Sequence, residues 1–139
     1  MNYGRLALAA VGGMVAYFGV GGAIFALAPQ MAAEFQKHAA LYRPRDAQMA
    51  AMPGGMAAML VAILVAAVLY TMVYRGGSGV AEGARFGALI GLFVVCAFVL
   101  HNHMLLNIGL RLTLMQAVSY FIQWTVVGIA IGLLYRPSA

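Results

Sequence analysis

The sequence predicts an all-α fold: an integral membrane four-helix bundle with a short interfacial amphipathic helix between spans one and two. Three observations lead there. Apolar residues fill 65% of the 139 positions, and the mean hydropathy is +0.95. Charged residues make up only 8%, against about 25% in an average soluble domain. The apolar residues fall into four stretches, 6–28, 54–74, 80–100 and 112–135. Each matches the roughly 20 residues a helix needs to cross about 30 Å of hydrocarbon. Residues 1–139 therefore read as a single transmembrane domain. So few charged side chains cannot solvate a water-soluble surface, which argues against a soluble enzyme, a disordered chain and a nucleic-acid binder. The net charge of +5 does not revive the last, because most basic residues flank the spans and no basic run with interleaved aromatics is present. The single cysteine, Cys96, permits no intramolecular disulfide and carries no redox information.

Span one contains Gly12, Gly13, Gly19, Gly21 and Gly22. Glycine weakens a helix in water, but in lipid an open backbone group is costlier, so the segment stays helical and offers neighbours a close approach. Ala26-Leu27-Ala28 has the small-residue pattern of a signal-peptidase site, yet the apolar stretch is too long for a signal core and Pro29 follows directly. The span reads as an uncleaved helix.

The long connection begins with Met31, Phe35 and Tyr42 at helical spacing, with Glu34, Lys37 and His38 supplying polarity. That pattern predicts an interfacial helix over 30–42. Arg43-Pro44-Arg45 breaks it. Asp46 is the expected N-cap of the next helix, and Pro53-Gly54-Gly55 is expected to kink or restart that helix.

Span two carries Gly54, Ala58, Ala62 and Ala66, span three Gly83, Gly87 and Gly91, and span four Gly128 and Gly132. Small residues four apart are helix-packing seams, serving either the bundle itself or an oligomer. Arg75-Gly76-Gly77-Ser78-Gly79 is a tight hairpin without the Lys-Ser/Thr ending of a phosphate loop. Glu82, in the first turn of span three, favours the helix dipole and can pair with Arg85.

Four spans return the chain to its starting side. Arg5, Arg75, Arg85 and Arg136 share the first side; Lys37, Arg43, Arg45 and Arg111 share the second. The positive-inside rule does not decide between them. The first-side arginines all lie close to span ends, and the termini are placed in the cytoplasm on that basis.

Two constellations could carry chemistry. Met49, Met52, Met56 and Met59 follow helical spacing on the second side, where the loop expected between spans three and four adds His101, Asn102, His103 and Met104. Thioether and imidazole suit Cu(I), a soft ion. The plainer account is that methionine fills gaps between helices, and the ligands come from separate segments. On span four, Thr113, Gln116, Tyr120 and Gln123 form a polar stripe flanked by Ser119. Polar groups in hydrocarbon need partners, so this face should look into the bundle, either for interhelical hydrogen bonds or around a small polar or amphipathic ligand. No Asp, Glu, Lys or Arg lies in the middle of a span, no His-Glu-x-x-His occurs, and Ser119 has no histidine beside it in its span. A proton-coupled pump and a hydrolase are both disfavoured.

The stretch His101-Asn102-His103-Met104-Leu105-Leu106, followed by Leu110-Arg111-Leu112 and Gly128, resembles small bacterial four-span membrane-protein families of unknown function, over roughly the last 55 residues. Those families often show an aspartate early in span four, where this chain has Gln116. The resemblance implies a bacterial inner-membrane protein and no particular activity. The sequence thus reads as a non-enzymatic small membrane subunit or assembly protein that packs through its glycine seams, as a homo-oligomer or in a larger complex. The alternative is a membrane protein that binds or transports a small molecule or copper.

Overall fold

The computed structural model describes residues 2–135. Arg136, counted above on the first side, lies outside them. The described chain is helical, and four helices are long and apolar enough to cross a membrane; this is a multi-pass membrane protein with the architecture of a four-helix bundle. Helix α1 (Tyr3–Leu27) starts at Asn2, whose side chain accepts the Arg5 N–H at 3.1 Å. Helix α2 (Pro29–Lys37) has proline at its first position, where the missing N–H costs nothing. A 3₁₀ turn, Ala39–Leu41, leads to α3 (Arg45–Val73). Helix α4 (Gly79–Val94) continues through a π-helical segment, Val95–Leu100, into α5 (His101–Leu105). Helix α6 (Leu110–Leu134) completes the bundle.

Several sequence expectations need correction. Helix α3 starts nine residues before the predicted span and runs through Pro53 without a break. A proline removes one backbone bond, whereas ending and restarting a helix would orphan a set of N–H and C=O groups. Asp46 is not the N-cap: Pro44 holds that position and Asp46 sits in the first turn. His101 to Met104 are not in a loop but continue the third span as helix. Glu82 does not pair with Arg85. Its two carboxylate oxygens accept the backbone N–H groups of Gly77 (2.9 Å) and Arg75 (3.3 Å) instead, which closes the hairpin around Gly76, the one described residue with a positive φ, +85°.

Helix α6 is the axis of the bundle, with α4 and α1 packed antiparallel against it. The α4 contact is backbone to backbone. Gly79, Gly83, Gly87 and Gly91 are all buried, and a Cβ at Gly83 would collide with the Gly128 carbonyl, one at Gly79 with that of Gly132. Helix α1 meets α6 through Gly12 under Leu134 and Gly21 under Gln123. Helix α3 leans on α1, where Ile63 fills the hollow above Gly13, 2.7 Å from where a Cβ would stand. The span-two ladder is not the seam it resembles. Gly54, Ala58 and Ala62 are exposed, and only Ala66 is buried. The remaining outward residues, such as Leu89, Phe93 and Val118, form an apolar exterior suited to lipid.

A neutral polar cavity inside the bundle

Between α1, α3, the π-helical segment and α6 lies a cavity of about 370 Å³. Its hydrogen-bonding groups are Tyr17, Tyr42, Asn102, Gln116, Tyr120 and Trp124, and it opens to the surface beside the exposed Asn102. Gln116, Tyr120 and Trp124 all belong to α6, and the others come from separate stretches of chain. Tyr17 projects from α1, and its ring stands edge-on to Trp124 with centroids 5.9 Å apart. Its hydroxyl lies near that of Tyr120. Gln116 and Tyr120 are one turn apart on α6, and Asn102 enters from α5 beyond the π turn. The set contains three phenols and two amides, which donate and accept, and one indole N–H, which only donates. No charged side chain lines the cavity.

The polar stripe of α6 does not converge on one place. Gln116 and Tyr120 face the cavity. Thr113 is buried against α5, its hydroxyl 2.9 Å from His103 Nδ1 and 3.3 Å from the Gly109 carbonyl. Ser119 donates to the Met31 sulfur of α2 at 3.6 Å. Gln123 lies over Gly21 of α1. Ten residues of helix extend about 15 Å, so one stripe passes three neighbours in turn. Four polar cavity residues, Tyr17, Tyr42, Asn102 and Trp124, escape the stripe argument. Of these Tyr17 carried a signal, being the one side chain with a hydrogen-bonding group between Arg5 and Gln30. Asn102 and Trp124 join only through tertiary packing.

The soft-ligand residues are dispersed in what they touch. His103 is engaged by Thr113. Met52 lines a separate groove with Phe25, Phe35 and Tyr42 that contains no histidine. His101, Met56 and Met104 are exposed. His38 accepts the Gly109 N–H at 3.3 Å and so ties the α2 turn to the start of α6. Among the described residues no three of His, Cys, Asp and Glu are grouped to hold a metal. This placement offers no support to the copper reading.

A charged knot sits beside the second-side end of α6. Glu34 is buried, and its Oε1 lies 2.7 Å from Lys37 Nζ and 3.2 Å from Arg111 Nη1. The Lys37 hydrogen bond, helped by the Arg111 charge, holds the Glu34 carboxyl below its ordinary value despite burial acting the other way. The knot clamps α2 onto α6.

No family model, curated protein sequence or solved structure matches this chain.

Proposed function

We propose that this protein is a non-enzymatic protein of a bacterial inner membrane, with both termini cytoplasmic, that holds a small neutral molecule in the cavity between Tyr17, Asn102, Gln116, Tyr120 and Trp124. The cavity itself carries the reading. Six neutral hydrogen-bonding side chains, Tyr42 included, line about 370 Å³ that opens at the exposed Asn102, and leaving the buried ones unpartnered in an apolar bundle is costly. Binding pockets of 300–1,000 Å³ with aromatic walls and a few placed polar groups are the usual form of small-molecule sites. The volume suits one or two rings, and the lack of charge favours a neutral ligand with polar atoms at its edge over an ion.

Trp124 is the one tryptophan of the chain, so its fluorescence reports the cavity directly. Purified protein in mild detergent is titrated with menadione, a neutral two-ring quinone, and with naphthalene, which lacks polar atoms. Menadione should quench saturably and more tightly than naphthalene. Gln116→Leu and Tyr120→Phe should each weaken it severalfold, as expected for the loss of a hydrogen bond worth about 1 kcal/mol. Quenching that rises linearly without saturation and is unchanged in both variants would sink the reading.

A second reading, a subunit that assembles with another copy or another membrane protein, is favoured by the outer half of α3. From Met49 to Ala58 every residue is exposed, and a Cβ at Gly54 or Gly55 would meet nothing within 4 Å. Ala58→Trp would block such an interface. Loss of a complex seen by native mass spectrometry would support assembly, and an unchanged monomer would remove it.

A further inference from the structure

At the opposite, first-side end of the bundle, α3, the hairpin and α4 enclose a cleft of about 550 Å³. Arg75 and Arg85 line it, and neither forms an ion pair with a described acidic group. Glu82 lines it too, but each of its carboxylate oxygens already accepts a hairpin amide, so two cations face one carboxylate that is already hydrogen-bonded. Tyr70 also lines the cleft. It is only 1% exposed, and its hydroxyl is the one fully buried side-chain polar atom among the described residues without a hydrogen-bond partner. Such a group ordinarily has a partner, protein or otherwise. Below the cleft, Arg85 and Leu89 are shared with an apolar groove that continues along Ala88, Leu92 and Phe121. The arrangement has a cationic head, a spare donor and a tail-length apolar track, at the depth where lipid headgroups meet helix ends.

We propose that this cleft seats the phosphate of an anionic phospholipid between Arg75 and Arg85, beside the Tyr70 hydroxyl, with an acyl chain lying along Leu89 and Leu92 toward Phe121. Arginine suits this task because its planar fork presents several donors to phosphate oxygens and is weakly hydrated. The site is separate from the neutral cavity and does not depend on what that cavity holds.

Delipidated protein in mild detergent would be titrated with phosphatidylglycerol or phosphatidylcholine and followed by native mass spectrometry. One phosphatidylglycerol per chain should be retained about tenfold more tightly than phosphatidylcholine, a difference of about 1.4 kcal/mol. The double variant Arg75→Gln/Arg85→Gln should lose this preference. Both arginines are exposed, so folding should survive. Tyr70→Phe should weaken retention severalfold without lowering the melting temperature, since it deletes an unsatisfied hydroxyl. The second-side pair Arg43→Gln/Arg45→Gln should leave retention unchanged. Equal retention of the two lipids, equal losses in the two arginine pairs, or displacement of the lipid by millimolar inorganic phosphate would each overturn the proposal. The last would mean that the cleft reads a free phosphate.

Discussion

The inner face of α4 and the outer face of α3 are written in the same residues, small side chains four apart, and the bundle treats them oppositely. On α4, Gly83, Gly87 and Gly91 are buried against the α6 backbone; on α3, Gly54, Ala58 and Ala62 face outward. The difference lies in the partner. Helix α6 answers with Gly128 and Gly132 at the matching positions, so both backbones can close. Helix α1 answers α3 with a single hollow, Gly13, and α3 fills it with Ile63 from another part of its circumference. A small-residue seam therefore specifies contact only as a pair, because in lipid no hydrophobic force pushes an unmatched face inward.

Substitutions along the two faces should sharpen this contrast. The largest loss belongs to Gly87→Leu. Even a Cβ there would press on the Trp124 and Thr125 carbonyls, and overpacking of this kind costs about 3 kcal/mol. Detergent melting is the measurement. Gly54→Leu, which meets open space, and Leu89→Ala, at a position 68% exposed, should each stay within about 0.5 kcal/mol. Comparable losses at Gly87 and Gly54 would break the comparison.

A smaller effect is expected at the α3–α1 contact. Ile63 is fully buried, and Ile63→Ala should cost about 2 kcal/mol through the cavity left above Gly13. Gly13→Ala probes the same joint from the other side. It should be partly rescued in the Ile63→Ala background, so a double-mutant cycle should show coupling. Additive losses would mean that α3 is held elsewhere.

The smallest effect is expected at Glu34. Its carboxyl is held below the ordinary glutamate value of 4.5 by the Lys37 hydrogen bond and Arg111. The folded chain therefore binds this proton less readily than the unfolded one. The contribution is complete above the ordinary value and is lost as pH falls through the lower, folded one. Melting temperatures of the parent and Glu34→Gln should differ slightly at neutral pH and converge under acid. A gap that persists or widens in acid would contradict the assigned direction.

The spans were legible because length and hydropathy are properties of a segment alone. The same was true of Gln116 and Tyr120, whose spacing places them on one face of α6. What the sequence hid depended on energy balances between segments. The continuity of α3 through Pro53 turns on the greater cost of two new helix ends. Glu34 sits on the polar face of an amphipathic pattern, and its burial depends on Arg111, far along the chain, which pairs with it. Asn102 lies beyond the apolar stretch that marks span three, and only the extension of that span into α5 brings it to the cavity.

The π turn at Val95–Leu100 explains how that third span keeps its hold on α6. Along an α-helix each step of four residues overshoots a full turn by about 40°, so the seam from Gly79 to Gly91 has slipped sideways by about 120° over its three steps. Continued unchanged, it would have wound off its neighbour, and two such helices would have had to supercoil to stay together. The wider π turn undershoots instead and runs the slippage backward, as a vernier is reset, and Val99, eight residues past Gly91, is again buried. The third span is in this sense two helical scales joined out of phase: one graduated in glycine for contact with α6, the other delivering Asn102 to the cavity that α6 also lines.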